Sequence, residues 1–217
     1  MCADVFDPKG NKIDHGDVQD RPRFYAHGES QESRFVSKFQ HVLGVQINPQ
    51  KRLDVTVPDL TCSTGLADLK HQATPFFTAA DKAKIDPQYA VTFNVKDAWR
   101  YHTLYPDIQI FFWVEWKATG YRESSNQAVQ ATEGVWRVSF RELDAMRSSA
   151  HIHWYHKRPR VEVVDPTEKS SLSSFEKGLR DHNGKVYSPW SSCKNAACSY
   201  IFDVRTFTPV VPVRPSS

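Results

Sequence analysis

The 217-residue sequence predicts an α/β fold: one core with a mixed central sheet, followed by a smaller α+β extension. Three patterns carry that expectation. An amphipathic helical stripe comes first, an alternating segment then folds back as a hairpin, and an apolar run from Ile108 to Trp116 suits a long buried strand. With 40% hydrophobic residues the chain can bury one good core, or one core plus an appendage.

Residues 1 to 28 are polar, rich in Asp, Lys, Gly and Pro, and follow neither period, so an irregular arm is expected there. The core is expected over residues 29 to 120. Phe35, Val36, Phe39, Val42 and Leu43 form one helical stripe, with Ser30 as N-cap and Gly44 as stop. Leu53-Asp54-Val55-Thr56-Val57 alternates as a strand, Pro58 to Gly65 carries turn chemistry, and Leu66 to Lys70 returns as the antiparallel partner. Beyond Pro75, Tyr89 to Phe93 reads as a strand and Asn94 as the cap of a helix running to about Leu104.

The extension is expected over residues 121 to 217. Val135 to Val138 reads as a strand, and Ser139-Phe140-Arg141-Glu142 as a capping box opening a short helix. Val161 to Val164 is a further strand, Ser173 to Glu176 a second capping box, and Asn183-Gly184 a turn. Pro209 to Ser217 is expected to be a loose tail.

No apolar run is long enough for a bilayer, and the amino terminus has no secretion-type hydrophobic stretch, so a cytoplasmic protein without a membrane partner is expected. Four cysteines do not make a disulfide framework in a chain this long. A formal charge of +3 permits a polyanionic partner without announcing one.

The chemistry-bearing segment is Ala67-Asp68-Leu69-Lys70. A period of two puts Asp68 and Lys70 on one face, roughly 7 Å apart at Cα, while Ala67 and Leu69 face a core. With a turn near Thr61, Asp54 sits opposite Asp68, where two carboxylates can share a hard cation. Asp59 is the rival; pairing it with Asp68 leaves a very short first strand, which favours Asp54. Glu32 lies on the inward stripe of the first helix, where an acid asks for a partner.

Glu32, then Asp54 or Asp59, then Asp68 and Lys70 together resemble the PD-(D/E)xK, or restriction-endonuclease-like, nuclease superfamily. The segment from Ala67 to Phe77 also looks like small phage-encoded predicted endonucleases. The resemblance spans Ser30 to Lys117 and implies an αβββαβ core and a metal-dependent DNA endonuclease using Mg²⁺ or Mn²⁺. It further implies Asp54 (or Asp59), Asp68 and the Leu69 carbonyl as metal ligands, Lys70 orienting the attacking water, and Glu32 assisting. Gln72 would project toward substrate, and a homodimer is open because such enzymes often pair to cut both strands. Asp stands at 68 where the family more often has Glu. On this reading, Asp68→Ala or Lys70→Ala abolishes cleavage and leaves the fold intact. The alternative is a non-catalytic DNA-binding or inhibitory protein on a nuclease-like fold.

Asp107 with Glu115-Trp116-Lys117 matches the motif's letters too, but one unbroken strand would hold Asp107 and Glu115 roughly 26 Å apart. His151, His153 and His156 read as surface histidines, and Cys193 and Cys198 as unligated thiols. Candidate DNA contacts are Trp154, Lys157 and Arg158 in a basic aromatic run, Arg100 on the second helix, and Lys82 and Lys84.

Overall fold

The computed structural model describes residues 4–13, 21–54, 57–122, 126–154 and 198–215. In chain order its elements are β1 (Asp4–Phe6), α1 (Arg21–Leu43), β2 (Gln46–Ile47), β3 (Leu60–Cys62), β4 (Gly65–Gln72), α2 (Ala79–Ala83), β5 (Ala90–Asn94), α3 (Val95–Leu104) and β6 (Gln109–Glu115). There follow β7 (Gly120–Arg122), β8 (Asn126–Ala128), β9 (Thr132–Ser139), α4 (Phe140–Met146), β10 (His151–Trp154), β11 (Cys198–Asp203) and β12 (Thr208–Pro215).

The central sheet has six strands in the order β12-β9-β6-β4-β3-β2. Within it β4 and β6 run parallel and every other neighbouring pair is antiparallel, so the chain is a mixed α/β protein with a mixed sheet. Two three-stranded sheets, β10-β11-β5 and β1-β7-β8, complete it.

β6 is apolar on both sides because both its faces are covered. Phe111 and Trp113 pack against Phe35 and Phe39 of α1, whereas Ile110, Phe112 and Val114 join Phe93, Trp99 and Tyr101 beneath α3 and β5. The Phe35 and Phe39 rings lie 5.6 and 5.8 Å from Trp113, within the range of favourable tilted and edge contacts. Gly44, at φ 63°, ends α1 as the sequence predicts, its N–H donating to the Gln40 carbonyl. The Ser139 capping box is complete.

Several expectations are corrected. The helix begins at Arg21 rather than at Ser30, because backbone hydrogen bonding carries a helix beyond its apolar stripe once nucleated. The expected irregular arm also contributes β1, paired with β7. Leu53 does not begin a strand: it follows a 3-10 turn at Pro49–Arg52 and is 92% exposed. Val55 and Thr56 lie outside the described residues. The hairpin reverses between Cys62 and Gly65, not near Thr61. Its first strand is only Leu60–Cys62, which suffices because Leu60 is fully buried and β2 flanks it at the sheet edge.

The expected loose tail is β12, an edge strand on β9 with register shifts near Pro209, Val211 and Arg214. Proline cannot donate to a ladder but is tolerated on such an edge. The sheet therefore crosses the boundary expected at residue 120, since β9 and β12 extend what β4 and β6 begin. The predicted strand at Val161 to Val164, the capping box at Ser173 and the Asn183-Gly184 turn lie outside the described residues. Among the described residues, no helix is long and apolar enough to cross a membrane.

Candidate active site

Strand alternation in β4 places Ala67 and Leu69 in the cluster beneath α1. Asp68, Lys70 and Gln72 face the other way, where Lys70 Nζ lies over the rings of Phe93 and Tyr101. The register Leu60↔Ala67 puts Asp59, one residue earlier, opposite Asp68. The second carboxylate is thus Asp59. Asp54, the favoured choice from sequence, is exposed in the connection that follows the 3-10 turn.

Two lysines organise the acids. Lys70 Nζ lies 2.7 Å from Asp68 Oδ2 and donates at 2.7 Å to Asp97 Oδ2. Lys51 Nζ donates at 2.6 Å to Glu32 Oε2 and at 2.6 Å to Asp59 Oδ1. The side chains form a row, Glu32, Lys51, Asp59, Asp68, Lys70, Asp97, in which charges alternate except where Asp59 meets Asp68.

The electrostatics converge on that junction. Burial raises the Asp68 pKa; Lys70 opposes this, Asp59 and Asp97 reinforce it, and the group sits at about 7. Asp68 is 2% exposed, and its Oδ2 is ion-paired with the Lys70 ammonium. Burial would depress Lys70, but Asp68 and Asp97 hold its pKa well above that of a free lysine. Burial would raise Asp97, but Lys70 and Arg100 keep it below its ordinary value. Burial opposes the charge of Lys51 also, and Asp59 with Glu32 outweighs it.

A cavity of about 440 Å³ opens on this row, lined by Glu32, Asp59, Leu69, Lys70, Gln72 and Asn94 among others. Among the described residues, no three His, Cys, Asp or Glu side chains converge on one point. The donor set nonetheless fits one hard cation at the Asp59–Asp68 junction: two adjacent carboxylates whose mutual repulsion a divalent ion would relieve.

Gln72 lines the cavity and is hydrogen-bonded to β5. Its Nε2 donates to the Thr92 carbonyl at 2.9 Å and its Oε1 accepts from the Thr92 N–H at 3.1 Å, which clips β4 to β5. Arg100 faces the row, donating to the Tyr101 hydroxyl at 2.9 Å and pairing with Asp97 at 3.4 Å. Trp154 is half-buried and packs against the core cluster that includes α3 residues. Lys82 is exposed beside His153, and Lys84 closes α2 by donating to the Asp81 carbonyl. Lys157, Arg158, His156 and Cys193 lie outside the described residues.

His151 is exposed, His153 packs at a tilt against Phe76, and Cys198 is a buried cysteine outside any disulfide. Asp107 and Glu115 stand at opposite ends of the β6 run: Asp107 pairs with Arg141, and Glu115 with Arg34, His71 and Lys117. The His71 ring packs at a tilt against Trp113, and its burial lowers its pKa to about 4 against the pull of Glu115.

Two residues of the row escape the sequence reading. Asp97 precedes the buried Tyr101 by four positions on α3, the same inward placement that singles out Glu32, so the signal was there. Lys51 sits in the turn Pro49-Gln50-Lys51-Arg52, where nothing in the sequence distinguishes it from a solvated lysine. Compared with known proteins, the chain matches no family model, no curated protein and no solved structure.

Proposed function

We propose that the chain is a metal-dependent deoxyribonuclease of the restriction-endonuclease-like kind, hydrolysing phosphodiester bonds with an activated water. The observation that carries this reading is the Asp59–Asp68 junction beside the paired ammonium of Lys70. The order of elements supports it: α1, the antiparallel strands β2 to β4, α3, then β6 parallel to β4, with β5 inserted.

Asp59 and Asp68 would hold Mg²⁺ or Mn²⁺, with the Leu69 carbonyl as the further ligand that the resemblance implies. When bound, the ion supplies positive charge at the phosphate and acidifies water. Lys70 remains protonated, so it donates a hydrogen bond to water or to a developing oxyanion and cannot act as the base. Asp97 fixes where that donor points. Glu32 acts through Lys51, which it holds against Asp59.

The test is incubation with supercoiled and linear DNA in Mg²⁺ or in EDTA. Nicking of closed circles in Mg²⁺ alone is expected. Intact circular and linear substrates, single- and double-stranded, in both Mg²⁺ and Mn²⁺ would overturn the proposal; DNA binding without cleavage would favour the non-catalytic alternative.

A further inference from the structure

We infer that the face made by α1, the neighbouring ends of β6 and β9, and β12 is a track for the phosphodiester backbone of duplex DNA, with Lys117 and Arg214 as its phosphate contacts. This rests on the nuclease reading and adds to it the surface on which the substrate lies.

Two buried acids anchor this face. Glu115 and Glu133 stand opposite each other on β6 and β9, so their side chains share one side of the sheet, where they are only 15% and 8% exposed. Each is met by a cation of α1: Arg34 pairs with Glu115 and Lys38 with Glu133, and both cations also lie over the Trp113 ring. Arg34 and Lys38 are four residues apart on the helix, where two cations alone would repel each other, so the acid beneath each one relieves that repulsion. His71 Nε2 lies 3.3 Å from Glu115, and Trp113 Nε1 donates to Glu133 at 3.0 Å.

Lys117 and Arg214 are left over from this pairing. Lys117 stands 3.3 Å from the Glu115 oxygen that Arg34 already holds, and Arg214 stands 3.3 Å from Glu133; their side chains are 56% and 57% exposed. Ion pairs this open to water add little to a fold. Burial would raise the pKa values of both acids, but Arg34 with Lys117, and Lys38 with Trp113, hold them below the ordinary carboxylate range, so both stay ionised. Among the described residues the cluster therefore sets four cations against two carboxylates, and the excess positive charge faces solvent.

A repeating polyanion fits two exposed cations carried beside neighbouring strands. The cluster is also continuous with the cavity. Gln31 and His71 line that cavity, Gln31 accepting from Arg34 and His71 meeting Glu115. The network thus leads from the cavity through Glu115 to Lys117, and across the sheet to Glu133 and Arg214.

The test is fluorescence anisotropy of a labelled DNA duplex titrated with the full chain in EDTA, at salt concentrations from 50 to 200 mM. Wild type is compared with the double variants Lys117→Gln with Arg214→Gln and Lys117→Arg with Arg214→Lys, and with Arg141→Gln, which removes an exposed cation at the other end of β6. Losing two phosphate contacts is expected to reduce the slope of log affinity against log salt by about 2 and to weaken binding by on the order of tenfold or more at 100 mM. The charge-keeping double variant and Arg141→Gln should retain the wild-type slope, and all variants should melt as wild type does.

A wild-type slope in the Gln double variant, or an equal loss in Arg141→Gln, overturns the track and leaves the nuclease reading standing. A wild type that neither binds nor cuts DNA overturns both.

Discussion

Asp68→Asn is expected to lose Mg²⁺-dependent cleavage by on the order of a thousandfold or more while melting no lower than wild type. The two halves of that result have one cause. Asp68 is nearly inaccessible and abuts Asp59, so its charge is costly to the fold, and on the proposed reading that charge serves to bind the metal. Asparagine has the same shape without the charge, and Lys70 retains Asp97 as its partner. Because the folded Asp68 pKa is raised from 3.8 to about 7, the folded protein holds this proton more tightly than the unfolded chain. Its contribution to stability therefore falls as pH rises toward 7, and the advantage of Asp68→Asn in melting temperature should be larger at pH 8 than at pH 5. Wild-type turnover in the variant, or a melting temperature several degrees lower, would contradict the prediction.

Lys70→Ala is expected to cost the fold about 3–5 kcal/mol in urea denaturation, besides abolishing cleavage. Sequence reasoning alone predicts that this variant keeps its fold; the structure changes that expectation. Lys70 neutralises two mostly buried carboxylates, and its loss leaves Asp68 without its counter-ion and Asp97 with only the longer contact to Arg100. Adding Asp97→Asn to Lys70→Ala should recover part of the stability but none of the activity, the coupling expected of residues sharing one charge network. Additive stability losses would show that the ion pair is not what holds this region.

What the sequence made legible was local. Asp68 and Lys70 could be placed on one face because strand alternation does not depend on the partner strand. The α1 stripe, Gly44 and the Ser139 capping box are likewise decided within a few residues of chain. What depends on pairing was harder. Alternation at 53 to 57 looked like the better first strand, yet Leu53 is in solvent, and the strand that pairs is three residues long, held by the buried Leu60 and by β2. The prolines of β12 argued for a tail because nothing local says that a strand will find a sheet edge. Lys51 is the clearest case: its partners lie 19 and 8 residues away, and only the folded turn brings them together.

The central claim is that Asp59 and Asp68 seat one divalent ion. Mn²⁺ titration of wild type, Asp59→Asn, Asp68→Asn and Asp54→Asn tests it most directly. The account predicts binding in wild type and in Asp54→Asn, and its loss in both of the other variants; binding that survives Asp59→Asn and Asp68→Asn, or disappears with Asp54→Asn alone, would contradict it.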